Sequence, residues 1–181
     1  PASPENREEP GDEALSAELA VNERKLLSIF DRCSDFVLRK IYADGEPKML
    51  IAYIDGLVDT QALDSLLLTP LAEGLASGRP EADGSRGRLL RDRLTAASDQ
   101  GVESMEALVN AILAGNAAII AEGETRASIA DLEGGEKRAI DVPSTERVIR
   151  GPKEAFNESL RTNTALIRRR IRNSRLKMER H

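Results

Sequence analysis

The six residues Met49-Leu50-Ile51-Ala52-Tyr53-Ile54 are apolar without a break. Successive side chains of a strand point to opposite faces, so an unbroken apolar strand needs cover on both and belongs inside a sheet. The preceding run, Phe36 to Tyr42, is also β-rich, and Asp44-Gly45 between the two tolerates the positive φ angles of a tight hairpin turn. A hairpin at the centre of a covered sheet is the starting expectation.

The cover is helical. Leu26, Leu27, Phe30 and Cys33 recur at helical spacing from Glu23 and predict a first amphipathic helix ending near Ser34. Asp59 or Thr60 can cap a helix carrying Leu63, Leu66 and Leu67, which Pro70 kinks or restarts behind Thr69, with Leu71 and Leu75 continuing its stripe to Gly78. A surface loop and a short helix around Leu89, Leu90 and Leu94 follow. Ser104 then caps a helix whose one face is Met105, Leu108, Val109, Ile112 and Leu113, with Gly115 as a left-handed stop. Three short extended runs, at 117–121, 126–132 and 137–142, predict an antiparallel meander.

The last element is a long helix from about Pro152 to Arg172, with Gly151-Pro152 as its start. Phe156, Leu160, Asn163, Ile167 and Ile171 form its expected inward stripe, while Glu154, Glu158, Arg161, Ala165, Arg168 and Arg169 lie away from it. Beyond Asn173-Ser174 the closing residues alternate as a strand would, with no partner for it in view. These elements predict an α/β fold: a β-hairpin and a small mixed sheet covered by helices, then a long amphipathic helix leading to a truncated second subdomain. The expected divisions are a disordered acidic lead-in over 1–22, a first α/β subdomain over 23–145, a connecting helix motif over 146–173, and the start of the second subdomain over 174–181.

Composition narrows the chemistry. A chain of 181 residues suits one core, and with three Phe, two Tyr and no Trp that core must be aliphatic. Cys33 is the single cysteine and His181, at the last position, the single histidine, so an internal disulfide, a Cys/His zinc site and Ser-His-Asp or Cys-His catalysis are all excluded. No phosphate-binding GxxxxGK[ST] or GxGxxG run is present. No catalytic residue, metal or cofactor is expected. No window reaches the length of an apolar membrane span and no signal-peptide order opens the sequence, so the polypeptide as given reads as soluble.

The net charge of -5 hides a polarity along the chain. Residues 161–181 hold eight Lys/Arg against one acid, whereas residues 1–145 hold 15 basic against 27 acidic residues. Cations at the end of a helix complement its dipole, but the cluster Arg168, Arg169, Arg170 and Arg172 exceeds that need and fits a protein or lipid head-group contact. Nucleic acid is not an expected partner, since no aromatic stacking platform accompanies the cluster. Asn163, inside an apolar stripe, must satisfy its amide and is expected to hold a loop such as Val148 to Gly151. Asp55 and Asp59 follow the central strand, where two carboxylates could hold a cation or a polar ligand. A turn-forming Asp-Gly and a helix-capping Asp explain the same two residues more simply.

Thr145, Glu146, Val148, Arg150, Gly151, Pro152, Phe156, Glu158, Leu160, Arg161, Asn163, Leu166, Arg168, Arg169, Arg170 and Ile171 fall in a fixed order. In that order the segment resembles the one that identifies the A subunits of bacterial spore germinant receptors, the GerA family. The likeness extends through SDFVLRKIY, YIDGLVD at 53–59 and EALVNAILAGNAAIIAEG, departing at Ala155 and at Asp141-Val142-Pro143-Ser144. It implies a hydrophilic region of two related α/β subdomains ahead of several membrane helices, in a protein of the inner spore membrane with this region facing the spore core. It further implies partnership with B and C subunits and with other A subunits, a nutrient response leading to ion release, and no catalysis. On that reading Arg150, Gly151, Pro152, Glu158, Arg161, Asn163, Arg168, Arg169 and Arg170 are interdomain or intersubunit residues. The alternatives are a nutrient-sensing module at Asp55 and Asp59, a phosphoester or nucleotide enzyme dependent on the same carboxylates, and a sporulation-stage paralogue of the same family.

Overall fold

A computed structural model of the chain describes residues 13–43, 45–65, 100–132 and 160–179. The elements run α1 (Leu19–Ile29), β1 (Phe36–Ala43), β2 (Glu46–Ile54), β3 (Gln100–Val102), α2 (Met105–Leu113), β4 (Ala117–Ala121), β5 (Ala127–Ala130) and α3 (Leu160–Arg170). The helix continuation through Leu66, Leu67, Leu71 and Leu75, the short helix around Leu89, the run at 137–142 and Phe156 lie outside the described residues, as does Asp44 of the turn.

The strands form one sheet in the order β1-β2-β4-β5-β3. β1 and β2 pair as the expected hairpin, Phe36 opposite Ile54 and Ile41 opposite Met49, and a register shift after Ile41 leaves Tyr42 opposite Pro47. Gly45 takes the positive φ of +80° that the turn requires. β2 is flanked on its other side by β4, with Ile51 opposite Ile119, so the unbroken apolar run does lie between two neighbours.

The run alternates as a buried strand must. Leu50, Ala52 and Ile54 join Ala118, Ile120, Ala127 and Ile129 on one face, covered by Leu19 and Leu26 of α1 and by Leu108 and Ile112 of α2. Met49, Ile51 and Tyr53 point the other way, with Ile119, Val58 and Leu63. Arg39 lies over the Tyr53 ring at 5.6 Å. Burial holds the Tyr53 hydroxyl above its ordinary value, with the Arg39 charge pulling in the opposite direction.

Every described ladder is antiparallel, whereas the sequence led to a small mixed sheet. The reason is topological. β3, α2 and β4 make a β-α-β crossover whose two strands run in the same direction but are separated by β5, which is antiparallel to both. The short strand β3 escapes sequence reading because Gln100-Gly101-Val102 has one apolar side chain. It occupies the edge beside β5 where a third strand of the meander was expected.

The helix α2 matches its pattern: the Ser104 hydroxyl accepts from the Ala107 N–H at 3.3 Å, and Met105, Leu108, Val109, Ile112 and Leu113 are buried. The start of α1 differs from expectation. Residues 13–22 are ordered against the body: Leu15 and Leu19 are core residues, and Leu15 N–H donates to the Glu103 carbonyl. Buried Asn22 exchanges hydrogen bonds with the Ser16 backbone at 3.0 and 2.6 Å, and the Glu122 carboxylate accepts from Leu19 N–H at 2.9 Å. Glu103 and Glu122 are long-range partners, so a local reading of a proline-rich, acidic lead-in could not find them. Leu27, expected on the inward stripe, is 49% exposed.

Candidate functional site

The basic helix α3 meets the body of the fold where the hairpin begins and ends. Asp35 precedes β1 and Asp55 follows β2; antiparallel pairing brings these strand ends together, and Asp55 N–H donates to the Asp35 carbonyl at 2.7 Å. Two carboxylates thus sit side by side at one end of the sheet. Arg161 and Arg168, seven residues and nearly two helical turns apart, reach one each.

Arg168 makes the stronger contact. Its Nε donates to Asp35 Oδ2 at 2.6 Å and its Nη2 to Asp35 Oδ1 at 2.9 Å, while Nη1 donates to the Asn173 carbonyl at 3.1 Å. This planar fork is the geometry in which arginine and carboxylate match best. Arg168 is only 1% exposed and Asp35 is also buried. Burial works against the Arg168 charge and is the largest influence on it; the hydrogen bonds and attraction of Asp35, helped by Cys33, outweigh it and hold the guanidinium above its usual value. Arg161 Nη2 reaches Asp55 Oδ1 at 2.9 Å on the exposed rim, where such a pair contributes about 0–1 kcal/mol.

Between the arginines, Ala165 is buried where the helix approaches the backbone. A Cβ at Gly56, where φ is +87°, would stand 3.2 Å from the Ala165 Cβ and 3.3 Å from the Arg161 carbonyl oxygen. Gly56→Ala is expected to cost about 1–3 kcal/mol from the left-handed backbone and the lost approach of α3. Gly45→Ala, at a similar φ with nothing within 4 Å, isolates the backbone part. Urea midpoints of the two variants check this: the Gly56 loss should be the larger, and equal losses would mean that α3 does not press on Gly56.

The side of α3 that docks on the sheet end is therefore centred on Ala165 and Arg168, with Arg161 at its rim, and not on the predicted stripe. Leu160 is 66% and Ile171 48% exposed, and Asn163 and Ile167 are half-buried. Apolar periodicity misplaces the helix because its docking surface is a pair of carboxylates and a glycine, which select guanidinium forks and a small side chain.

Residues 171–179, which include the expected start of another subdomain at 174, turn back onto the corner between α1 and β1. Ser34 N–H donates to the Met178 carbonyl at 2.7 Å, and Cys33 and Met178 form an isolated parallel bridge. Lys177 Nζ donates to the Ile29 carbonyl at the end of α1 at 3.0 Å, a cation placed where the helix dipole favours it. Arg32, at a positive φ of 56°, pairs with Glu179 at 3.4 Å. Phe30 and Phe36 stack at 4.2 Å across the same corner. Cys33, 7% exposed, lies under the returning chain with its sulfur 3.6 Å from the Leu176 carbonyl oxygen and 4.0 Å from Lys177 Nζ.

Of the sequence-derived site residues, the structure thus brings Arg161 to Asp55 and buries Arg168 on Asp35; Arg169 is half-buried and Arg170 exposed. Arg150, Gly151, Pro152 and Glu158 lie outside the described residues. Asp59 is a helix cap: its Oδ1 accepts from the Gln61 and Ala62 N–H groups at 2.9 and 3.0 Å. Asp55 and Asp59 therefore have separate duties. Sequence reading missed Asp35, Cys33 and Asn173; the available signal was Arg161, Ala165 and Arg168 sharing one helix face. Among the described residues no group of three or more His, Cys, Asp or Glu could hold a metal, and no helix is long and apolar enough to cross a membrane.

Comparison with known proteins places the fold and the family. A solved structure, the N-terminal domain of the A subunit of the Bacillus megaterium spore germinant receptor GerK3, has the same fold with a TM-score of 0.61 at 24% identity, covering 89% of this chain and 57% of that one. The uncharacterized membrane protein YfkQ of Bacillus subtilis (strain 168) is 34% identical over 167 residues, covering 92% of this chain and 32% of that protein. Spore germination protein KA of the same organism is 33% identical over 167 residues, with 91% and 30% covered. The chain spans about a third of the length of these curated relatives. The family described as Bacillus/Clostridium GerA spore germination protein matches residues 24–181, and the chain belongs to that family.

Proposed function

We propose that the chain is the N-terminal region of a spore germinant receptor A subunit and that it works by subunit interaction and conformational coupling, without catalysis. On this reading the full-length protein sits in the inner spore membrane with this region toward the spore core. It acts with B and C subunits and with other A subunits when a nutrient triggers germination. Residues 23–145 are then the first subdomain, and the helix motif of 146–173 is the connection through which it is coupled to the rest of the protein.

One observation carries the proposal. The connecting helix is fixed on its inner side by Arg161 and Arg168, while Leu160, Arg170 and Ile171 stand exposed on the remaining surface. A helix held on one side with apolar and cationic groups outside can transmit a partner's push to the sheet. Asp55 belongs to that anchor through Arg161, whereas Asp59 caps a helix.

The test replaces outward groups only, so the fold is preserved. In the full-length protein produced in spores, Arg170→Glu combined with Ile171→Asp should leave the protein at normal abundance. Co-isolation with B and C subunits and the rate of nutrient-triggered germination should each fall tenfold or more. Normal assembly and normal germination would refute the reading.

A further inference from the structure

We infer that α3 and residues 171–179 form a releasable clasp over the corner between α1 and β1, which opens as a unit while the sheet stays folded. The inference deepens the proposed function by naming the moving part, and rests on it only for the use made of the motion.

The contacts that hold the clasp differ in kind from those that hold the body. The sheet, α1 and α2 are joined by aliphatic side chains in two clusters, which together draw on nearly every strand. Among the described residues, α3 contributes only Ala165 to a cluster, and the large apolar groups Leu160 and Ile171 remain exposed. Among the described residues, polar contacts supply further attachment: Arg168 on Asp35, Arg161 on Asp55, Lys177 on the Ile29 carbonyl, the Met178 carbonyl on Ser34 N–H, and Glu179 on Arg32.

A buried ion pair has a particular energy profile. Removing one partner leaves a buried charge and is strongly unfavourable, yet separating both partners into water returns most of the desolvation cost, so the intact pair is close to balanced against its open form. An element held mainly by such a pair and by surface hydrogen bonds can leave and return without disturbing an apolar core. Local openings of this type occur below the free energy of global unfolding. Arg168 and Asp35 also set the register: the fork fits one rotation of α3 about its axis, the rotation that turns Leu160 and Ile171 outward.

The clasp carries its own reporter. Cys33 is the single thiol of the chain and is covered by Leu176, Lys177 and Met178, so opening uncovers it and closing protects it.

The experiment follows alkylation of Cys33 by iodoacetamide in the 181-residue chain at increasing low urea, with hydrogen exchange of Met49–Ile54 measured in parallel. The clasp predicts that Cys33 is labelled through an opening at least tenfold more populated than the one that exposes Met49–Ile54, and with a weaker urea dependence. Arg168→Met, which keeps the apolar stem and removes the fork, raises the closed state, so it should speed labelling tenfold or more, with the loss of Met49–Ile54 protection no greater than that gain. Should that variant fold poorly, Lys177→Met serves the same purpose, with an expected several-fold increase.

Two results would overturn the inference. One is labelling that shares the urea dependence of β2 exchange, which would mean that the thiol is uncovered only by global unfolding. The other is labelling at the rate of a free thiol, which would mean that no closed state exists. Neither result bears on the spore experiment with Arg170→Glu and Ile171→Asp. Normal germination in that experiment leaves the labelling result standing, so the two claims fail separately.

Discussion

Arg168→Ala is expected to weaken the closed docking of α3 by about 3–5 kcal/mol, because it leaves the buried Asp35 carboxylate without its partner. The effect is read from hydrogen exchange of the α3 amides, whose protection should fall by two orders of magnitude or more, limited by the stability of the closed state itself. The loss in global unfolding should be smaller, since Asp35 regains water once α3 has left. Asp35→Leu combined with Arg168→Met removes both charges and should recover more than half of the lost protection. Unchanged α3 protection in Arg168→Ala would show that the fork contributes nothing to docking. The exposed partner Arg161→Ala supplies the comparison: its pair lies on the rim, and a shift within about 1 kcal/mol is expected.

Ile51→Ala should have the complementary signature. Ile51 is fully buried between β1 and β4, opposite Arg39 on one side and Ile119 on the other, and packs with Met49, Val58 and Leu63. Truncation removes three carbon atoms and leaves a cavity, at a cost of about 2–5 kcal/mol. The urea midpoint should fall at unchanged slope, while the opening of α3 relative to the folded sheet remains as in the parent chain. Tyr42→Ala, on the exposed part of the edge strand, should stay within about 0.5 kcal/mol. A loss below 1 kcal/mol for Ile51→Ala would contradict the assignment of β2 as the strand buried on both faces.

The contrast between these two variants follows the division between what sequence reading could and could not find. Met49–Ile54 and the α2 face are governed by apolar burial, and burial leaves a periodic trace along the chain, so the hairpin, the central strand and the second helix are legible directly. The Asp59 cap is legible for a similar reason, because its hydrogen bonds are two and three residues away. The candidate site obeys neither rule. Asp35 and Arg168 are 133 residues apart, and each taken alone resembles an ordinary surface charge. Nothing local distinguishes an arginine that will be buried by a carboxylate from one that stays in water, so the sequence pattern puts the charged face of α3 outward and the apolar one inward. Leu15 and Leu19 were hidden in the same way, their segment being ordered by backbone bonds to Glu103 and by the Glu122 carboxylate. The family resemblance singles out this segment, but its motif gives identities in order and not which side of the helix faces in.

The account stands on the arginine face of α3 lying inward, and site-directed thiol accessibility tests that orientation residue by residue. In a Cys33→Ser background, single cysteines are introduced by Leu160→Cys, Ala165→Cys and Ile171→Cys, and their alkylation rates are compared under native conditions. The structure predicts rapid labelling at 160 and 171 and labelling at least tenfold slower at 165. Rapid labelling at 165 with protection at 160 and 171 would place the apolar stripe inward and contradict the docking of α3 through Asp35 and Asp55.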